Sequence, residues 1–66
     1  MGAEHLDTAL AMNSIGSTYH RKGASGEALV WHRKALAIYE KTLGTEHPDT
    51  ARAMHNIGVV YDEKGA

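Results

Sequence analysis

The chain has 66 residues, with seven Gly, one Pro and no Cys, so disulfide bonds and thiolate metal sites are excluded. Seven basic and eight acidic residues give a net charge of −1, which provides no electrostatic footprint for nucleic acid or an anionic membrane. A chain this short buries only about 60% of the surface of its unfolded form, so its core is small. Such chains are often stabilised by oligomerisation.

The apolar runs are too short to span a bilayer, and the N-terminus lacks the hydrophobic stretch of a signal peptide. We therefore expect a soluble protein, cytoplasmic by default, without membrane or nucleic-acid partners.

The first predicted helix, helix A, covers about residues 6–22. Its apolar residues recur at helical spacing, and Gly23 after Lys22 is a typical C-terminal stop. The stripe consists of Ala9, Met12, Ile15, Gly16 and Tyr19.

The second predicted helix, helix B, covers about residues 26–43. Ser25 is a suitable N-cap, and a second apolar stripe continues to Gly44. The stripe consists of Ala28, Leu29, His32, Ala35, Leu36, Tyr39 and Leu43.

The third predicted helix, helix A′, covers about residues 48–64, with Pro48 at its first position and Asp49 near its positive end. Short connections make the three helices antiparallel neighbours, so the fold class is all-α, a helix-turn-helix repeat in the order A-B-A′. We expect a single domain over 1–66. Its predicted core is Met12, Ile15, Tyr19, Ala28, Leu29, Ala35, Leu36, Tyr39, Met54, Ile57 and Tyr61.

The sequence repeats itself after 42 residues. Residues 2–24 align with 44–66, and 14 of the 23 aligned pairs are identical, which indicates one complete repeat followed by half of another. Gly16 and Gly58 are equivalent positions on the apolar stripe. Because a mid-helix Gly costs about 1 kcal/mol relative to Ala, we expect both to allow close helix contact, with Ala28 or Ala35 opposite.

These residues resemble the tetratricopeptide repeat, in particular the 42-residue variant of kinesin light chains. The resemblance covers essentially the whole chain, and the segment LGTEHPDTA at 43–51 is similar to that variant's inter-repeat signature. The chain departs from the family pattern at the A–B junction and in helix B. Ser25 and His32 stand where the family usually has aromatic residues, and Gly26 and Val30 where acidic residues are more frequent.

The resemblance implies a non-catalytic binding scaffold that holds extended peptides along its first helices. The residues at positions similar to the family's groove are Asn13, Ser17, Arg21, His55, Asn56, Val59 and Glu63. The Lys–Asn pattern of carboxylate-clamping members is not met at these positions. Peptide binding on this surface is therefore the alternative hypothesis.

Catalytic and metal-binding motifs are not found in the sequence. No two His residues have the i, i+3 or i, i+4 spacing of a helical zinc pair, and G-x-S-x-G and phosphate-binding loops are absent. The His residues are His5, His20, His32, His47 and His55, of which His5 and His47 are expected to cap or turn the chain at helix starts. We expect no enzymatic activity, no cofactor and no metal.

The main functional prediction is self-assembly of a truncated or designed array. Ser17 and Thr18 of the first copy become Val59 and Val60 in the second, which predicts an exposed apolar surface on helix A′ and a two-fold homodimer. The predicted self-association residues are Val59, Val60, Met54, Trp31 and Val30.

Overall fold

Three α-helices make up the fold, α1 (Gly2–Arg21), α2 (Ser25–Leu43) and α3 (Pro48–Gly65). The computed structural model describes the backbone of residues 2–65 and the side chains of residues 6–63. Within this part of the chain no strand occurs, so the all-α prediction is confirmed. The first helix begins four residues before its predicted start at 6, and α2 packs against both α1 and α3.

Helix α1 ends in a Schellman motif. Gly23 has a φ of 85°, a left-handed conformation that favours Gly, and its N–H donates to the His20 carbonyl at 3.0 Å. The Ala24 N–H donates to the Tyr19 carbonyl at 2.9 Å. Gly23 therefore terminates α1 as the sequence predicted.

The start of α2 differs from the prediction. Ala24, not Ser25, occupies the N-cap, and no side-chain hydrogen bond caps this end. The connection after α1 is so short that Ala24, which completes the Schellman motif, also supplies the first carbonyl of α2 to the Ala28 N–H at 3.0 Å. Ser25 is thereby drawn into the first turn.

The turn between α2 and α3 is held by side chains of the repeat signature. Gly44 has a φ of 88°, and its carbonyl accepts a hydrogen bond from the Thr50 hydroxyl at 2.8 Å. The ring Nδ1 of His47 accepts from the Asp49 N–H at 3.1 Å, which confirms a capping role for His47. The side chain of His5, its repeat equivalent, lies outside the described residues.

The core consists mostly of Ala with a few larger residues, and it follows both sides of α2. Of the predicted core, four residues are fully buried, four are half-buried and three are exposed. The buried residues are Ala28, Leu29, Ala35 and Tyr39, the half-buried ones are Met12, Tyr19, Leu36 and Ile57, and the exposed ones are Ile15, Met54 and Tyr61.

The three wrong burial predictions have one cause: α1 and α3 pack on α2 through different faces. We define the glycine face as Ala9, Met12, Gly16 and Tyr19 in α1, and as Ala51, Met54, Gly58 and Tyr61 in α3. The isoleucine face comprises Thr8, Ala11, Ile15 and Thr18 in α1, and Thr50, Ala53, Ile57 and Val60 in α3. Helix α1 turns its glycine face to α2, whereas α3 turns its isoleucine face.

Gly16 allows close contact with α2, but its neighbour is His32 and not Ala28 or Ala35. A Cβ added at Gly16 would lie 2.9 Å from the His32 ring. At Gly58 the expectation of close contact is wrong, because an added Cβ would meet no described atom within 4 Å. The two equivalent glycines thus have different surroundings, because Gly16 lies against a buried side chain and Gly58 does not.

Substituting Ala at the two glycines is expected to change stability in opposite directions. Gly16→Ala forces the buried His32 ring to shift and should lower the free energy of unfolding by about 1–3 kcal/mol. Gly58→Ala adds helix propensity in open space and should raise it by about 0.5–1 kcal/mol. Urea unfolding followed by circular dichroism measures both values, and equal effects of one sign would contradict the different roles of the glycine faces.

Candidate functional site

A polar cluster joins all three helices through the side chain of Asn13. Its amide oxygen accepts a hydrogen bond from Nδ1 of His32 on α2 at 2.7 Å. The same oxygen accepts from the side-chain amide of Asn56 on α3 at 3.2 Å. Asn13 and Asn56, two predicted groove residues, are therefore brought together, with the Asn13 oxygen already bonded inside the protein.

His32 is 2% exposed, and its ring lies against Gly16 and is hydrogen-bonded to Asn13. Because Nδ1 faces an amide oxygen, the neutral ring carries its proton on Nδ1. Burial lowers the pKa of His32 from its ordinary value, and the nearby His20 lowers that pKa further. The ring therefore acts as a neutral hydrogen-bond donor in the packed structure.

A second contact connects α1 and α3 near the C-terminal ends of the two helices. Nε2 of His20 lies 2.7 Å from a carboxylate oxygen of Glu63, and the Glu63 side chain is largely exposed. The sequence separation of 43 is the same as for Asn13 and Asn56. These two contacts mark the surface along which the repeated helices run side by side.

The other predicted groove residues are spread over this surface. Ser17 is half-buried and Arg21 exposed, and with Asn13 they form a stripe at four-residue spacing along α1. His55 is exposed and precedes Asn56, so its side chain leaves α3 in a different direction, towards the glycine face. Asn13, Ser17, Arg21 and Asn56 thus form one surface to which His55 does not contribute.

The glycine face of α3 is exposed, whereas that of α1 is covered by α2. Met54 is 41% exposed and Tyr61 44% exposed, whereas their equivalents Met12 and Tyr19 are half-buried against α2. At one edge of this face, the guanidinium of Arg33 donates to the Tyr61 hydroxyl and lies 5.6 Å from the centre of the Tyr61 ring. Arg33 thereby holds Tyr61 at the border between α2 and α3.

The predicted self-association residues need one correction. Val60 is 1% exposed and packs against Ala28 and Leu29, so it belongs to the core and does not form an exposed surface with Val59. Its position on the isoleucine face explains the burial, because that face of α3 meets α2. Val59 is half-buried.

The two remaining residues of that prediction lie on α2. Val30 is exposed, and it precedes Arg33 by one helical turn. Trp31 is half-buried, and the ammonium of Lys34 lies 5.0 Å from its ring centre. Arg33, which contacts Tyr61 of α3, thus lies one helical turn from the exposed Val30 on α2.

The isoleucine face of α1 is also exposed and carries an open cavity of 280 Å³. The cavity is lined by Ile15, Thr18, Tyr19 and Lys22. In α3 the residues equivalent to Ile15 and Thr18 are Ile57 and Val60, which pack against α2. The cavity thus lies on the face of α1 whose counterpart on α3 packs against α2.

The described residues contain no group of three His, Asp or Glu side chains placed to hold a metal ion. No helix in the same part of the chain is long and apolar enough to cross a membrane.

The state of His32 predicts a dependence of stability on pH. Because its folded pKa lies below the ordinary value of 6.5, the unfolded chain takes up the proton first as the pH falls. The contribution of neutral His32 is thus fully present above about pH 6.5 and is lost as the pH falls towards the lowered folded pKa. We expect the free energy of unfolding to fall between pH 7 and pH 5 and to fall less in His32→Phe. Identical pH profiles for parent and variant would contradict this assignment.

Comparison with known protein families gives one match. The tetratricopeptide repeat matches residues 7–66, which include nearly all of the described helices. No curated protein and no solved structure gives a significant match. The family consists of helical-repeat modules that are generally non-catalytic and that mediate contacts between proteins. The matched range, the 42-residue repeat and the antiparallel helix pairs agree, and the chain belongs to the tetratricopeptide repeat family.

Proposed function

We propose that this chain is a non-catalytic protein-interaction scaffold that associates with further copies of itself through the glycine face of α3. The observation that carries the proposal is the difference between two equivalent surfaces. The glycine face is covered by α2 in the first copy of the helix and is exposed in the second.

The exposed residues form a continuous stripe. Ala51, Met54, Gly58 and Tyr61 follow each other at three- and four-residue spacing, so they lie along one side of α3. Burying Met54 and Tyr61 against a partner stabilises a complex by about 1.5–3 kcal/mol per fully buried side chain. The proposed contact also includes Val59 of α3, which is half-buried, and Val30 and Trp31 of α2, of which Val30 is exposed and Trp31 half-buried.

A two-fold homodimer is the simplest closed assembly of this surface. In such a dimer the same face of each copy meets its counterpart, so α3 packs on α3 and both exposed faces are hidden together. The resulting body has six helices. A head-to-tail assembly uses two different faces of each copy, so one contact face would stay exposed on the first copy and one on the last.

The association is tested with two substitutions of matched chemistry. Sedimentation equilibrium of the parent at high micromolar concentration should show a homodimer, and Met54→Gln should weaken its association by about tenfold. Leu10→Gln is the control, because Leu10 is an exposed apolar residue on α1 that lies outside the glycine face. A parent that remains a monomer of 7.1 kDa refutes the proposal, and equal effects of both substitutions would place the interface elsewhere.

Peptide binding on the concave surface is the second candidate, favoured by the adjacency of Asn13 and Asn56. The Asn13 oxygen already accepts two hydrogen bonds, so only the remaining side-chain N–H groups of Asn13 and Asn56 are available to a bound peptide.

We expect no micromolar binding of peptides that end in a free carboxylate, because the groove residues lack the Lys–Asn pattern of carboxylate-clamping members of the family. Isothermal titration calorimetry measures this. A saturable isotherm in the micromolar range that Asn13→Ala abolishes would contradict the expectation.

A further inference from the structure

The chain carries an equivalent methionine in each copy of the repeated helix, and the two side chains have different surroundings. Met12 is half-buried and packs against the core cluster that includes Ala9, Ala35 and Tyr39. Met54 is 41% exposed on the glycine face of α3. Two thioethers at the same position of the repeat thus differ in their access to solvent.

The residues beside Met54 on α3 leave its side chain uncovered. Ala51 precedes it by three residues and Gly58 follows it by four, so both lie next to Met54 on the same side of the helix. Neither has a side chain larger than a methyl group, and above Gly58 no described atom lies within 4 Å of a Cβ position. In α1 the equivalent space above Gly16 is occupied by the His32 ring. A small solute therefore has open access to Met54 along this side of α3.

We propose that Met54 is the site of a reversible oxidation that switches off self-association of the chain. The oxidant is hydrogen peroxide. The thioether sulfur attacks one peroxide oxygen, the O–O bond breaks as the S–O bond forms, and the departing hydroxide takes the proton of the new S–OH group and leaves as water. Sulfur thus loses two electrons to the peroxide and becomes a sulfoxide, which methionine sulfoxide reductases convert back to the thioether. The inference rests on the proposed self-association and names a regulation of the same surface.

A sulfoxide does not suit a buried position on the glycine face. Its oxygen is a strong hydrogen-bond acceptor, and burying such a group without a donor is unfavourable. The side-chain donor of this face is the Tyr61 hydroxyl, which lies about 10 Å further along the helix and is already engaged by Arg33. In a two-fold dimer both copies bury Met54, so oxidation acts on each side of the contact.

Limited oxidation of the intact chain with hydrogen peroxide identifies the reactive methionine. The treatment is carried out at a protein concentration below that of dimer formation, and tandem mass spectrometry assigns the added oxygen to a residue. We expect Met54 to be oxidised several times faster than Met12, because α2 covers Met12. Equal rates at the two residues, or faster oxidation of Met12, would overturn the inference.

Raising the protein concentration tests whether self-association covers the same residue. Dimer formation buries Met54 and should slow its oxidation, whereas the rate at Met12, which α2 covers in both states, should not change. A rate at Met54 that stays the same where sedimentation shows a dimer would place this residue outside the interface and refute the inference.

The effect on association is measured by sedimentation equilibrium before and after oxidation of Met54. The oxidised parent should associate at least about tenfold more weakly than the untreated parent, and the reductases should restore its association. Met54→Leu keeps Met1 and Met12, so its association should be the same before and after peroxide. Met12→Leu is the matched control and should be as sensitive to peroxide as the parent.

Untreated and oxidised samples separate this regulation from self-association itself. An untreated parent that sediments as a monomer refutes self-association and, with it, the regulation. A dimer that persists after Met54 is oxidised, or a Met54→Leu dimer that peroxide still dissociates, refutes the regulation alone.

Discussion

The packing of the His32 ring onto Gly16 is the contact on which the arrangement of the three helices depends. The ring occupies the volume that a side chain at Gly16 would need, so α1 and α2 are in close contact at this point. Asn13 fixes the ring through Nδ1 and also receives the amide of Asn56. One buried imidazole therefore sets the spacing of the first helix pair and, through Asn13, contributes to the position of α3.

The packing on α2 also explains why the two copies of the first helix, which share 14 of 23 aligned residues, have different exposed surfaces. Helix α2 packs against both α1 and α3, and side chains of α1 and α3 also contact each other. The face of α3 that contacts α2 is offset by one residue, about 100° around the helix, from the face that α1 uses. The glycine face of α3 and the isoleucine face of α1 are therefore left exposed together, and both carry apolar side chains, such as Met54 and Ile15. Exposed apolar surface of this kind is typical of proteins whose function is to bind other proteins.

Periodicity and the glycine and proline positions predicted the helices well, because turn chemistry is local. Gly23 and Gly44 adopt positive φ, and Pro48 begins α3 at its predicted position. Burial was predicted less well. A helical stripe predicts which residues are suited to packing. The positions of the adjacent helices determine which of these residues are covered, as the exposure of Ile15 and Met54 shows.

The candidate site was only partly visible in the sequence. Asn13 and Asn56 were predicted as groove residues, and that role stays a prediction, whereas the hydrogen bond of Asn13 to His32 was not foreseen. The available signal was the replacement of an aromatic residue by His32 opposite a mid-helix glycine. Val60 was assigned to the surface because Thr18 is its polar equivalent, and the sequence alone does not tell that α3 packs through its isoleucine face.

The most direct test of this account is a nuclear Overhauser measurement on the His32 ring protons. We expect cross-peaks from the ring to the α-protons of Gly16 and none to those of Gly58, because only Gly16 lies against the ring. Cross-peaks to Gly58 in place of Gly16 would show that α3 packs on α2 through its glycine face. That result would contradict the different orientation of the two repeated helices and, with it, the interaction surface proposed for α3.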